Sequence, residues 1–166
     1  MEEMGGTEYL IYKGSDLKWI LPHIYVLTEN GNKVYVISPW IDVRVRLNVT
    51  WVSEHSEYTL MELAKIFMRR NIKTVFVFSE TEKDSEINNE SINMLSGSNF
   101  EVLFVRNLHA KAIIGQRLMY LGSANITYSG LYRNTEAATL SAVNDQQESL
   151  TQIFGEAGLW QLQKAR

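Results

Sequence analysis

The sequence predicts a single α/β domain, with helices on both faces of a mixed β-sheet. Two observations lead to this prediction. Apolar strand-like segments alternate with helical segments along most of the chain, and the last strands are joined by a short turn and a loop instead of full helices. The chain has 166 residues, of which 45% are apolar and 21% charged, as in an ordinary globular domain. We expect residues 1–8 to be a flexible terminus and residues 9–166 to form the domain.

The first part of the chain predicts a strand at residues 9–12 and a buried strand at residues 33–38 that is apolar on both faces. Between them, Ser15 or Asp16 is a candidate cap for a helix that runs toward the turn at residues 30–32. Because Pro22 lies beyond the first turn of that helix, the helix must kink there or start later.

The middle of the chain continues the alternation of strands and helices. Residues 43–51 alternate between apolar and polar types, which fits a half-exposed strand or an extended loop. An amphipathic helix is predicted at residues 58–70, a buried strand at 73–79, a loop and then a helix ending at Gly97 within 80–98, and a third strand at 100–105.

The next segment predicts a β-hairpin whose two-residue turn is Gly115-Gln116. On its first strand, His109 and Lys111 are two residues apart and therefore project from one face. The second strand, at residues 118–122, leads into Ser123 and Asn125, which are also two apart. Glu136 follows near the start of a strand at residues 135–142, and a helix at 145–159 closes the domain.

These side chains suit chemistry at phosphorus. A neutral imidazole is a nucleophile, and the ammonium of Lys111 disfavours the protonated form of His109. The carboxylate of Glu136 can fix the imidazole tautomer and stabilise the charge that develops during attack. Lys111, Ser123 and Asn125 can donate hydrogen bonds to anionic oxygens. This chemistry requires no metal and no cofactor.

At these residues the sequence resembles the phospholipase D superfamily, whose motif is His-x-Lys, four residues, Asp, six residues, Gly-Ser-x-Asn. Residues 109–111 (His-Ala-Lys) and 122–125 (Gly-Ser-Ala-Asn) match the two ends, and residues 134–136 (Asn-Thr-Glu) are similar to the Asn-x-Glu that often follows. The place of the family's Asp falls on Gln116, and the interval from His109 to Gly122 is one residue shorter than the pattern.

The resemblance implies a role for each motif residue. His109 is the nucleophile that forms a phosphohistidine, Lys111 and Asn125 bind phosphate oxygens, Ser123 supports them, and Glu136 orients His109. Members of the superfamily build their site from two such motifs, whereas this chain has one. It is therefore similar to the small single-motif members, which are homodimeric phosphodiesterases and nucleases, and a twofold axis would pair His109 with the partner subunit's His109.

Further candidate substrate-binding residues lie outside the motif: Trp40, Tyr128 and Arg133. In the superfamily the strand at 33–38 tends to open onto the active-site face, so Trp40 and Asp42 are candidates for lining the cleft, although Trp40 fits a core or interface position equally well. Residues 127–134 predict a loop or a short helical turn. Its tyrosines, Tyr128 and Tyr132, fit stacking on a base or packing of the site wall.

Charge is distributed unevenly along the chain, which has a formal net charge of −3. Residues 102–135 contain four basic and no acidic residues, a charge of +4, and the remainder carries −7. The positive charge therefore falls on the motif segment, where an anionic phosphodiester is expected to bind.

Several classes of protein are disfavoured by the composition. The absence of cysteine excludes disulfides and cysteine-zinc sites, and the only other histidines, His23 and His55, are expected at structural or surface positions. The sequence shows neither a long apolar run nor a secretory signal, so a cytoplasmic location is the default expectation. The leading interpretation is a metal-independent phosphodiesterase, most simply a nuclease for DNA or RNA. The alternatives are a phospholipid-directed phosphodiesterase and a noncatalytic nucleic-acid-binding or dimerisation domain.

Overall fold

The computed structural model describes residues 9–49 and 56–164, and within them the α/β prediction is confirmed. The strands are β1 (Tyr9–Lys13), β2 (Lys33–Ile37), β3 (Arg46–Asn48), β4 (Glu57–Thr59), β5 (Lys73–Ser79), β6 (Glu101–Val105), β7 (Ala112–Ile114), β8 (Leu118–Gly122) and β9 (Thr135–Ala142). The helices are α1 (Leu17–Val26), α2 (Leu60–Met68), α3 (Glu86–Ser96) and α4 (Gln146–Lys164). The terminus expected at residues 1–8 and His55 lie outside the described residues.

The main sheet is mixed and has seven strands in the order β1-β9-β8-β7-β2-β5-β6. Strands β2, β5 and β6 are parallel neighbours, and the pairings from β2 outward through β7, β8, β9 and β1 are antiparallel. Strands β3 and β4 form a separate two-stranded ribbon. The parallel half follows from the helical crossovers and the antiparallel half from the shorter connections.

Helices cover both faces of the sheet, as predicted. On one face, α1, α2 and α3 pack against the sheet through residues such as Leu21, Leu63 and Leu95, all of them completely buried. On the other face, Leu150 of α4 packs against residues such as Val77. Alternate residues of β2 belong to the two clusters, which explains why this strand is apolar on both faces.

Helix α1 begins at Leu17 and contains Pro22 within its span, so of the two predicted alternatives the later start is wrong and the kink stays a prediction. A 3-10 turn at Gly14–Asp16 leads into α1, and neither Ser15 nor Asp16 caps it through a side-chain hydrogen bond. Proline lacks the N–H that would bond four residues back. The helix thus forgoes one internal bond at Pro22, which is itself buried.

Helix α2 begins two residues later than predicted, because Tyr58 pairs with Leu47 in the β3–β4 ribbon. Thr59 then caps the helix. Its hydroxyl accepts from the Glu62 N–H at 3.2 Å, and the Glu62 carboxylate accepts from the Thr59 N–H at 2.7 Å. Of the segment at 43–51 that was expected to be a strand or a loop, residues 50 and 51 lie outside the described residues, and three of the others form β3.

The hairpin turn lies one residue further along than predicted. Ile114 pairs with Met119, and the Gly115 N–H donates to the Leu118 carbonyl at 3.0 Å, so the turn is made by Gln116 and Arg117. Gly115 is there for a different reason. A Cβ on it would lie 2.6 Å from the Ile24 Cγ2 atom, so glycine allows α1 to approach the sheet.

The closing helix α4 is longer than predicted and is interrupted at Gly155, which has a left-handed φ of 66°. Asp145 caps its first turn, since its carboxylate accepts from the Gln147 and Glu148 N–H groups at 2.8 and 3.2 Å. A glycine tolerates this conformation where other residues are strained. The predicted closing helix is therefore confirmed, and the cap at Asp145 and the break at Gly155 are additions to it.

Candidate active site

The motif residues converge on one edge of the main sheet. Ile37, the last residue of β2, pairs with Ala112 at the start of β7, and Gly122 at the end of β8 pairs with Ala138 near the start of β9. Antiparallel neighbours place the start of one strand beside the end of the next. The residues just outside these strand ends, which include the motif, therefore share this edge.

His109 and Lys111 precede β7 instead of lying on it, which corrects the predicted hairpin strand. The alternation of faces nevertheless holds, since Leu108, Ala110 and Ala112 all contribute to the core cluster under α4. His109 and Lys111 therefore take the opposite face, as predicted from their spacing. His109 is exposed and Lys111 is half-buried, and the Lys111 ammonium donates to the His109 carbonyl oxygen at 3.2 Å.

The turn ahead of the histidine is fixed by Asn107, which has a left-handed φ of 52°. Asparagine tolerates this conformation better than most side chains. Leu108, next in the chain, is 5% exposed and anchors the segment in the core. His109 is thereby presented to solvent between a turn and a buried anchor, which suits a nucleophile that a substrate must reach.

Ser123 and Glu136 are in direct contact, because the Ser123 hydroxyl donates to the Glu136 Oε2 atom. The same hydroxyl oxygen accepts from the Ala137 N–H at 3.0 Å. In the described part of the chain no hydrogen bond joins Glu136 to His109. The role predicted for Glu136 in orienting His109 therefore stays a prediction, and Ser123 is the partner that holds its carboxylate.

Asn125 is held by Ser38, a residue that the sequence interpretation did not single out. The Ser38 hydroxyl is completely buried and lies 3.1 Å from Asn125 Oδ1 and 2.8 Å from the Trp40 carbonyl oxygen. The Ile126 N–H also points to the Ser38 oxygen, at 3.5 Å. Because Oδ1 faces Ser38, the amide nitrogen of Asn125 is the group available to an anionic ligand.

Replacing Ser38 by alanine is expected to loosen Asn125 and to leave polar groups without a partner. We expect the free energy of unfolding to fall by about 1–3 kcal/mol. We expect kcat/KM for a phosphodiester to fall by roughly tenfold, equivalent to about 1.4 kcal/mol. Urea unfolding and steady-state kinetics measure the two effects. Ser96→Ala, at the exposed end of α3, is the matched control, and equal behaviour of the two variants would contradict the role of Ser38.

Tyr120 supports the site from below. Its ring is 1% exposed, and a Cβ added to Gly122 would lie 2.7 Å from the Tyr120 hydroxyl oxygen. The motif glycine is therefore required by close packing. Burial, together with the negative charge of Glu136, raises the pKa of Tyr120 from 10.0 to about 12, although a hydrogen bond with the Ala124 backbone opposes the shift.

The raised pKa of Tyr120 predicts a loss of stability in alkali. Below pH 10 the residue is protonated in both the folded and the unfolded chain and contributes no pH dependence. Between about pH 10 and 12 the unfolded chain loses this proton first, so the free energy of unfolding falls as the pH rises. Urea unfolding across this interval measures the slope. Tyr120→Phe is expected to reduce the slope of the unfolding free energy against pH. Met94→Ala, on the exposed face of α3, is the control and is expected to leave the slope unchanged. Equal slopes for the two variants would contradict the assignment to Tyr120.

The loop that carries Trp40 is fixed by a buried amide on α3. Asn88 is completely buried; its Oδ1 accepts from the Ile41 N–H at 3.0 Å and its Nδ2 donates to the Pro39 carbonyl at 2.8 Å. Trp40 itself is half-buried, which leaves both of its predicted roles open. Asp42, the other candidate for lining the cleft, receives the Arg44 guanidinium at 2.8 Å.

Tyr128 and Tyr132 stack on each other beside this loop. Their ring centroids are 4.7 Å apart with an interplanar angle of 19°. They belong to a turn that is π-helical at Ser129–Arg133, which confirms the short helical turn among the two alternatives. Tyr128 is 55% exposed, and the Arg133 guanidinium carbon lies 5.2 Å from its ring centroid. The predicted binding residues Tyr128 and Arg133 thus lie together.

The positive segment is partly neutralised by the fold. Arg106 pairs with Glu80 at 2.9 Å, and Arg117 pairs with Glu29 at 2.5 Å at the hairpin turn. In the described part of the chain, Lys111 and Arg133 have no carboxylate partner. Fewer positive charges are therefore available to an anionic substrate than the +4 counted along residues 102–135.

Gln116, at the place of the family's Asp, has a structural role at the far end of the hairpin. Its Oε1 accepts from the Glu29 N–H at 2.8 Å, and its Nε2 donates to the Glu29 carboxylate at 3.3 Å. These bonds join the hairpin turn to the segment that follows α1. Since β7 separates Gln116 from His109, the glutamine does not belong to the site.

The described residues contain neither a cluster suited to a metal ion nor a helix suited to a membrane. No group of three or more His, Cys, Asp or Glu side chains is arranged to hold a metal ion among them. No helix in the part of the chain that the structure describes is both long and apolar enough to cross a membrane.

Comparison with known proteins gives matches of structure only, because no family model and no curated protein matches the sequence. Nuc from Salmonella typhimurium, a phospholipase D family member, matches with a TM-score of 0.63 at 16% identity over 97% of each chain. NucT from Helicobacter pylori matches with a TM-score of 0.61 at 15% identity over 96% of this chain and 95% of its own.

A third solved structure, TrmBL2, an archaeal chromatin protein, matches with a TM-score of 0.53 at 12% identity. The match covers 100% of this chain and 56% of that protein, so TrmBL2 contains much that this chain lacks. Identities this low carry information about the fold alone. The chain has the phospholipase D fold, as the resemblance of its motif residues predicted.

Proposed function

We propose that this protein is a metal-independent phosphodiesterase, and specifically a nuclease that cleaves DNA or RNA through a phosphohistidine. The observation that carries the proposal is the placement of His109, Lys111, Ser123, Asn125 and Glu136 at one edge of the sheet. An exposed imidazole beside donors for anionic oxygens is the equipment that nucleophilic phosphoryl transfer needs.

The proposed reaction has two steps. In the first, the neutral imidazole of His109 attacks phosphorus, a P–N bond forms, and the bond to the leaving oxygen breaks. Lys111 and the Asn125 amide donate to the non-bridging oxygens, and Glu136, held by Ser123, stabilises the charge on the imidazole. In the second step a water molecule attacks phosphorus and gives a proton to the general acid of the first step, which now acts as a base; the P–N bond breaks and neutral His109 returns.

The leaving oxygen needs a proton, and the chain has one motif histidine to serve as nucleophile. We assign the general acid to the partner subunit's His109, so that the site is shared by two copies of the chain in a homodimer. What supports this assignment is the single His-x-Lys motif of the chain, at residues 109–111, where the superfamily's site is built from two. A cytoplasmic location stays a prediction.

A noncatalytic role on the same fold is the second candidate. It is favoured by the match to TrmBL2, an archaeal chromatin protein whose structure shows a novel mode of DNA binding. The two candidates differ in what His109 contributes. A binding domain has no need of an exposed imidazole between a left-handed turn and a buried anchor, and this favours the enzyme.

The proposal is tested by incubating the protein in excess EDTA with labelled single- and double-stranded DNA and RNA and with phospholipid vesicles. We expect cleavage of nucleic acid that EDTA does not reduce. Binding without cleavage would establish the noncatalytic role instead, and release of a phospholipid headgroup would redirect the proposal to lipid. Loss of cleavage in EDTA would overturn the metal-independent mechanism.

A further inference from the structure

We propose that Tyr128 is a stacking platform for an unpaired nucleobase, and that it gives the active site a preference for single-stranded over double-stranded nucleic acid. The inference deepens the proposed function and rests on it for the identity of the polymer. It starts from the exposure of Tyr128. More than half of this side chain, 55%, is open to solvent, although the aromatic rings of Phe76 and Phe78 are completely buried. Exposed aromatic faces are what single-strand-binding proteins offer to bases.

The platform is held rigidly before any ligand arrives. Tyr132 stacks on Tyr128, and the Tyr132 hydroxyl donates to the Arg46 carbonyl oxygen at 2.7 Å, which ties the pair to β3. The Lys18 ammonium lies over the Tyr132 ring, 4.2 Å from its centroid. Because these contacts already order the ring pair, a base that stacks on it pays little further entropy.

Arg133 supplies the second half of a clamp. Its guanidinium carbon lies 5.2 Å from the Tyr128 centroid, and in the described residues it has no carboxylate partner. An exposed arginine side chain can rotate to admit a base and then cover its other face, since guanidinium groups stack on π-systems. Tyr128 and Arg133 would then hold one base between them.

The neighbouring cavity accepts a neutral group better than a phosphate. It has a volume of about 340 Å³, and its lining combines Tyr128 and Tyr132 with basic and acidic side chains, among them Arg46, Asp42 and Glu57. Arg44 and Arg46 match the two carboxylates in number, so the lining has no net positive charge to attract a phosphate, whereas its mixed donors and acceptors suit the polar edge of a base. The phosphate is left to Lys111 and Asn125.

The platform is coupled to the catalytic residues through the backbone. Tyr128 follows Asn125 by three residues, and the π-helical turn packs on Asn125 so closely that a Cβ on Gly130 would lie 2.1 Å from the Asn125 carbonyl oxygen. A base on Tyr128 therefore belongs to a nucleotide close to the phosphate held by Asn125. In a duplex both faces of a base are already stacked, and extrusion costs a few kcal/mol.

The test measures binding in a His109→Ala background, so that it does not depend on cleavage. Fluorescence anisotropy is recorded with a labelled single-stranded oligonucleotide, its duplex, and an oligonucleotide of abasic sites. We expect the single strand to bind tightest. Tyr128→Leu is expected to weaken its binding by about fivefold or more, while Tyr128→Phe stays within about twofold, because the ring face supplies the stacking energy. Met94→Ala on α3 is the surface control.

Three results would overturn the inference: tighter binding of the duplex than of the single strand, equal affinity of Tyr128→Leu and its parent for the single strand, or binding to anionic phospholipid vesicles in place of any oligonucleotide. Failure of the proposed function is recognised separately. If the wild type cleaves no substrate, and its binding of the single strand still depends on the Tyr128 ring, then the platform is supported and the hydrolase is not. If cleavage occurs and Tyr128→Leu binds normally, the hydrolase stands without the platform.

Discussion

Replacing His109 by alanine is expected to abolish phosphodiester hydrolysis, with kcat lower by about 10⁴-fold or more, which is typical of removing a nucleophile that acts together with its partners. The reason lies in the covalent step. Without an imidazole at this position no P–N bond forms, and the donors at Lys111 and Asn125 hold a phosphate that nothing attacks. Steady-state hydrolysis of a labelled oligonucleotide in excess EDTA measures the loss.

The control for this variant is His23→Ala. His23 is also exposed but lies on α1, where its Nδ1 atom is 2.6 Å from the Trp19 carbonyl oxygen, and its removal is expected to leave kcat within about twofold. Quenching the wild type with detergent at alkaline pH, where a phosphohistidine survives, during turnover of a ³²P-labelled substrate should trap radioactive protein, and the label should be absent from the His109→Ala protein. Cleavage that survives in His109→Ala would contradict the nucleophile assignment.

The sequence predicted the structure best where a feature depends on residues that are close together in the chain. The pairs His109 and Lys111, and Ser123 and Asn125, are each two residues apart, and the residues between them, Ala110 and Ala124, contact the core clusters, as the alternation predicts. Strand β5 was predicted to the residue, because an unbroken apolar run bounded by turns has few other uses. The hairpin turn was misplaced by one residue. Gly115 was taken for a turn residue, whereas its role is to admit Ile24, a contact between residues far apart in sequence.

The residues that hold the site residues in place could not be predicted from the sequence, because their contacts also join segments that are far apart in the chain. Ser38 meets Asn125 across 87 positions, and Asn88 meets Ile41 across 47. A serine at a strand end and an asparagine in a polar helix have many uses that look alike in sequence. The one available signal was Asn88 itself, a polar residue on the buried side of α3, where an amide needs a partner. Counting charges along residues 102–135 overestimated the free positive charge for the same reason, because Glu29 and Glu80 come from distant segments and pair with Arg117 and Arg106.

Close backbone packing beneath the site leads to the second prediction, for Gly130→Ala. A Cβ at this position would lie 2.1 Å from the Asn125 carbonyl oxygen and 3.0 Å from its carbonyl carbon, and no rotation of a side chain can relieve a clash with backbone. Gly14 also packs closely against this turn, since a Cβ on Gly14 would lie 1.9 Å from the Gly130 carbonyl oxygen. The π-helical turn therefore cannot retreat, and the added methyl must displace Asn125.

We expect Gly130→Ala to lower the free energy of unfolding by about 3 kcal/mol or more, and Tm by roughly 6–12 °C for a chain of this size. Because a displacement of about 1 Å in a catalytic group can cost 10²-fold in rate, kcat measured well below Tm should also fall at least tenfold. Gly97→Ala is the matched control: its Cβ would lie 3.9 Å from the nearest atom, and its φ of −80° suits alanine. Calorimetry measures Tm and the free energy of unfolding of both variants, and steady-state kinetics measures their kcat. A Gly130→Ala protein as stable and active as Gly97→Ala would show that Asn125 is not held by this contact.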